Sequence, residues 1–166
     1  MTKLIKTDED LDLEFQPPAP GTYRWEIIEG VKLSTNPNSG KQTYHVPMQI
    51  DSAFDGDESA KGARATHFIP IETQFGENQM NTFINITDSL DVIIDRFGEE
   101  VDFLDKTVAE FVALRFMGKF VKAAHKLRAY TDNDGNARQS VDFKKFFAPT
   151  KKAPVKVAES GENKDW

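Results

Sequence analysis

Two stretches near the start of the chain alternate apolar and polar residues with a period of two, the signature of half-buried strands. In residues 22–33, Tyr23, Trp25 and Ile27 fall on one face, and Arg24, Glu26 and Ile28 on the other. Gly30, followed by Val31 and Leu33, predicts a bulge that swaps the faces. In residues 42–50, Tyr44, Val46, Met48 and Ile50 oppose Thr43, His45, Pro47 and Gln49. Pro47 lacks an amide donor and predicts an edge or bulge within that strand. Asn36-Pro37-Asn38-Ser39-Gly40 predicts the turn between the two. Residues 51–64 read as a polar, mobile loop, and 65–73 as a third, short strand around Phe68, Ile69 and Ile71.

The period then changes. Phe83, Ile86, Leu90, Ile93, Ile94 and Phe97 recur every three or four residues, which predicts helix over 79–97, with Asn85 or Thr87 as a break and Gly98 as a C-terminal cap. Thr107-Val108-Ala109-Glu110 fits a capping box, so a second helix is expected from about Thr107 to Met117, ended by Gly118. Residues 119–130 and 138–147 read as strands around the turn Asp132-Asn133-Asp134-Gly135-Asn136. On the returning strand, Val141, Phe143, Lys145 and Phe147 are expected on one face, with Asp142, Lys144 and Phe146 on the other. The order fits a mainly β, compact five-stranded barrel with a helical segment between strands three and four.

Length changes this picture little: 166 residues favour one domain. Residues 17–149 form the expected domain. Residues 1–16 form an acidic arm in which Leu11, Leu13 and Phe15 alternate with Asp10, Asp12 and Glu14. Residues 150–166 have the composition of a disordered tail. No apolar run has the length of a membrane span, and the N-terminus turns acidic before any secretory signal develops. The absence of cysteine excludes disulfides, thiolate zinc sites and cysteine nucleophiles, and suits a reducing cytoplasm.

Charge changes the picture more. The formal net charge of −6 argues against a simple polyanion binder, but it hides a split. Residues 111–157 carry eleven basic and three acidic residues, a net of +8, which leaves −14 for the rest. Such asymmetry points to an anionic partner for the basic part. Most catalytic and metal motifs fail. Ser39-Gly40-Lys41 lacks the remaining positions of a phosphate loop, and Asp132-Asn133-Asp134-Gly135 has its glycine two residues early for a calcium loop. His45, His67 and His125 lie on separate segments without ligand spacing. No nucleophile–base pair stands out, so no catalysis, cofactor or metal is expected.

Basic and aromatic residues do interleave on the last two strands. Lys119, Lys122, Lys126 and Arg128 lead to Tyr130, and Arg138, Lys144 and Lys145 lead to Phe146. Single-stranded nucleic acid is held by this combination, because cations follow phosphates and rings stack bases without reading them. Tyr130 and Phe146 are the better stacking candidates; Tyr23 and Trp25 divide evenly between core and platform, and Phe120, Phe143 and Phe147 read as core. Arg24, Lys32 and Lys41 would complete a groove on the first hairpin.

Three short motifs resemble the phage-encoded single-stranded DNA-binding proteins. Pro20-Gly21-Thr22-Tyr23 opens a strand that leads through Asn38-Ser39-Gly40-Lys41 into residues 44–50. Residues 112–122, with Met117-Gly118-Lys119, precede a charged hairpin containing Asp134-Gly135. The return strand ends in Lys145-Phe146-Phe147-Ala148-Pro149. The resemblance covers residues 17–149. It implies an OB barrel that coats single-stranded DNA in phage-type replication or recombination, in the host cytoplasm. It also implies an acidic, aromatic-tipped tail that recruits replication or recombination proteins. Glu159, Glu162, Asp165 and Trp166 resemble a reduced tail of that kind, diluted by Lys164. Two rival expectations stand beside it: a protein-interaction module whose basic hairpin meets an acidic protein, and an enzyme or small-ligand barrel with a closed pocket.

Overall fold

A computed structural model describes residues 17–149. The arm over residues 1–16 and the tail with Glu159, Glu162, Asp165 and Trp166 lie outside the described residues. Six strands form one antiparallel sheet: β1 (Gly21–Ile27), β2 (Lys32–Thr35), β3 (Gln42–Asp55), β4 (Arg64–Ile69), β5 (Phe120–Thr131) and β6 (Ala137–Phe147). Three helices, α1 (Gln74–Ile86), α2 (Leu90–Phe97) and α3 (Lys106–Phe116), fall between β4 and β5. The sheet order is β2-β3-β1-β5-β6, and β4 pairs with β3.

Two strand expectations need correction. The expected first strand is two strands, because Gly30 takes a φ of +109° and the chain turns away after Ile27. The first five residues of the expected loop, 51–55, continue β3, because β1 pairs with it from Met48 to Asp55, while residues 56–63 lie between the strands as expected. The polar residues of 51–55 gain ladder hydrogen bonds there, which composition alone does not reveal. Pro47 sits inside β3 and not at an edge. Its carbonyl accepts from Ile28 N at 3.0 Å, so its donor-free nitrogen faces the point where β2 has ended and β1 begins.

The alternation of β1 and β3 holds. Tyr23, Trp25, Ile27, Tyr44, Val46, Met48 and Ile50 all point into the core, joined by Val121 and Ala123 of β5. The helices close that face through Met80, Phe83, Ile93, Val112 and Phe116. Helix α1 starts at Thr73, whose Oγ1 accepts from Gly76 N at 2.9 Å and donates to the Pro70 carbonyl at 2.7 Å. This fold-back leaves no room at Gly76, where a Cβ would overlap the Pro70 carbonyl. Thr87 ends the helix by donating to the Phe83 carbonyl at 2.8 Å, and Asp88 takes a φ of +58°, so the expected break is there. Helix α3 is capped by Asp105, whose carboxylate accepts from Thr107 N and Val108 N, and not by the expected Thr107 box.

The sheet does not close into a five-stranded barrel. Among the described residues β4 and β6 share no ladder, although they face each other across a seam. Rings fill the space beneath it. His67 of β4 lies 5.4 Å from Phe143 and 4.7 Å from Phe146, and Phe83 of α1 lies 4.7 Å from Phe146. These side chains pack together beneath the open seam.

Candidate nucleic-acid interface

The face of the β1–β5–β6 layer that turns away from the helices gathers most of the expected cations. Strand register places Ser52, Arg24, Lys122 and Phe147 side by side in one row across β3, β1, β5 and β6. The next row carries Thr22, Ala124 and Lys145. Further along the β5–β6 hairpin the pairs are Lys126 with Asp142, Arg128 with Ser140, and Tyr130 with Arg138. Aromatic rings lie between the cations. The Arg24 guanidinium sits 4.0 Å from the Phe120 ring centre, and Lys122 Nζ sits 4.6 Å from Phe54 and 5.9 Å from Phe147. Phe147 is 44% exposed and Tyr130 48%.

Local turn chemistry sets the hairpin's direction. Asp132 accepts from the backbone amides of Asp134 and Asn136, each at 2.9 Å, and Gly135 supplies the left-handed residue at φ +84°. Arg138 Nε donates to the same carboxylate at 2.9 Å. That bond, then the amides, holds the Asp132 carboxyl below its usual range. Lys144 likewise engages Asp142 at 2.9 Å, and Arg24 engages Asp51 at 3.3 Å. Lys122, Lys126, Arg128 and Lys145 form no salt bridge among the described residues. These four cations are in no ion pair with a described residue, although Arg128 and Lys126, after Lys144, also help to lower the Asp142 carboxyl. Glu26, opposite Phe120, marks the acidic limit of the face.

Several expected site residues are elsewhere. Tyr23 and Trp25 are fully buried and cannot stack a base. The Tyr23 hydroxyl donates to the Ala19 carbonyl and accepts from Asp57 N, and its ring stacks on His125 at 5.5 Å. Phe146 is packed against Phe83 and His67, so it too is a core residue. The cause is a bulge. Ala124 pairs with Lys145 but His125 pairs with Phe143, so Lys144 is an extra residue in β6. The expected alternation therefore slips by one, which puts Phe143 and Phe146 on the core side and Phe147 outside. Lys119 is half-buried, and its Nζ donates to the Thr87 carbonyl at 3.1 Å at the end of α1. Burial, then Arg115, lowers its pKa. Lys32 pairs with His45 at the far end of β3, roughly 23 Å of strand from Ser52. Lys41 lies in the turn beyond it.

Three rings on this face differ from the sequence expectation: Phe54 falls in the expected loop, and Phe120 and Phe147 read as core. Phe120 shares parity with Lys122, which was the available signal; nothing marked Phe54 before its pairing with β1 was known.

Among the described residues no group of three or more His, Asp or Glu side chains is placed to hold a metal. No helix among them is long and apolar enough to cross a membrane. No family model matches the chain, and no curated protein matches it.

Proposed function

We propose that the outer face of β1, β5 and β6 binds single-stranded DNA without reading its sequence, in replication or recombination of the phage type, and that the protein performs no catalysis. One observation carries the reading: Arg24, Lys122 and Phe147 share a row, with Phe54 and Phe120 beside the cations. Phosphates would follow Lys122, Lys126, Arg128 and Lys145, with Arg24, Arg138 and Lys144 released from their acids as the strand arrives. Bases would stack on Phe147 and Tyr130, each stacked base contributing about 1–3 kcal/mol. Rigid strands carry all of these groups, so little ordering is required on binding. In this reading the tail with Trp166 would recruit partner proteins.

Fluorescence anisotropy of the full chain with an unstructured oligonucleotide of about 30 nucleotides, long enough for two OB-sized sites, tests this. Preference for the single strand over a matched duplex is expected. Four unpaired cations predict a log–log salt slope near −3, at about −0.7 per phosphate. Absence of binding at low salt, or equal affinity for duplex, would overturn the reading.

A second reading has its own observation. An apolar groove of about 660 Å³ runs between β2 and α3, lined by Val31, Leu33, Leu104, Ala113, Leu114 and Met117. A protein-interaction module with an acidic partner on the basic hairpin would use such a groove. It predicts that Phe147→Ala leaves oligonucleotide affinity unchanged.

A further inference from the structure

The seam between β4 and β6 opens as a cleft of about 710 Å³. Each wall is a strand edge without a ladder partner on that side among the described residues: residues 64–68 of β4 and 139–143 of β6. Unpaired edges of this kind are templates for another strand. Phe75, Val141 and Phe143 line the cleft together with Arg64 and Arg128. Phe75 is 63% exposed, and Phe68 at the β4 wall is 54% exposed. The lining thus offers both apolar rings and two arginines.

Pro17 lines the same cleft, so the chain leaves the described residues at its wall. Pro18 is held there by His125, whose Nε2 lies 3.1 Å from the Pro18 carbonyl. The preceding segment, residues 8–15, reads Asp-Glu-Asp-Leu-Asp-Leu-Glu-Phe. Leu11, Leu13 and Phe15 share one strand face, and Asp10, Asp12 and Glu14 share the other. Eight residues extend to at most about 28 Å, which exceeds the roughly 17 Å of each five-residue wall.

We propose that residues 8–15 of the same chain occupy this cleft as an added strand. Their leucines and Phe15 cover Phe75 and Val141, and their carboxylates face Arg64 and Arg128. Pattern, charge and point of departure agree on this one occupant. One acid already lies at the rim, Asp142, and Lys144 neutralises it at 2.9 Å. The proposal shares Arg128 with the nucleic-acid reading, but its test reads the seam amides without oligonucleotide, so the two can fail separately.

The cysteine-free chain allows a single spin label at Asp8→Cys. In isotope-labelled full-length protein, the amides of Ala65, His67, Val141 and Phe143 should lose most of their NMR intensity and regain it on reduction of the nitroxide. With Leu11→Ser, Leu13→Ser and Phe15→Ser added, the loss should fall to the weaker level that a tether of about 17 Å gives by itself. Retained intensity in the singly labelled chain would overturn the proposal. So would broadening that the three serines leave undiminished, since the tether alone would then explain it. Broadening that appears only between spin-labelled and isotope-labelled chains in a mixture would assign the cleft to a second copy, and would also overturn it.

Discussion

The inner and outer faces of the β1–β5–β6 layer are built from neighbouring residues, yet they have opposite environments. Inside, Tyr23, Trp25, Val121 and Ala123 have no measurable exposure and meet the helices. Outside, Arg24, Lys122 and Phe147 form an open row with Phe54 and Phe120. Phe146 and Phe147 show the contrast at one peptide bond, since the first packs on Phe83 and the second meets solvent. Residue type did not decide these fates. Strand parity did, corrected by the extra residue at Lys144.

The comparison is tested first by substitutions that separate folding from binding. Trp25→Ala removes a fully buried ring that packs on Phe143 at 5.1 Å and should cost about 3–5 kcal/mol in denaturant unfolding. A cost below 1 kcal/mol would place Trp25 on the wrong face.

Acid provides the next largest effect. Burial holds the His67 imidazole at about 4, against an ordinary value near 6.5 in the unfolded chain. Between those values the unfolded state binds the extra proton, so stability falls as pH drops from 6.5 to 4 and levels off below. The loss should reach about 3 kcal/mol. His67→Gln should make the profile between pH 6.5 and 5 less steep, with the remainder due to His45 and His125, whose pKa values burial also lowers; an unchanged profile would contradict a buried neutral His67.

Smaller effects belong to the outer face. Phe147→Ala should leave thermal unfolding nearly unchanged and weaken oligonucleotide binding by about 1–3 kcal/mol. Phe146→Ala should do the reverse, lowering stability by about 3 kcal/mol. Smallest of all, Lys122→Ala should reduce the magnitude of the salt slope by about 0.7, one phosphate contact, at unchanged fold. Lys119→Ala should leave that slope as it is, because Lys119 is committed to the Thr87 carbonyl.

Legibility followed locality. The turn at residues 132–136, a helix break at Asn85 or Thr87 and the alternation of β1 and β3 depend on near neighbours and are legible in the sequence, whereas which face of β1 is the core is not. What escaped depends on partners far along the chain. Residues 51–55 become strand because β1 pairs with them. Beneath the open seam, His67, Phe83, Phe143 and Phe146 pack together from β4, α1 and β6. For the candidate site, interleaved cations on the last two strands were visible. Tyr130 is exposed as expected, but Phe146 and Phe147 exchange their expected faces, because the bulge at Lys144 reverses the strand beyond it.

The most direct test of the outer face is amide chemical-shift mapping of the isotope-labelled full chain during titration with a short single-stranded oligonucleotide. The account predicts the largest shifts at Thr22, Arg24, Phe54, Lys122, Ala124, Lys145 and Phe147, with the β2–α3 groove silent. Shifts concentrated at Val31, Leu104 and Met117, with the outer face silent, would contradict it.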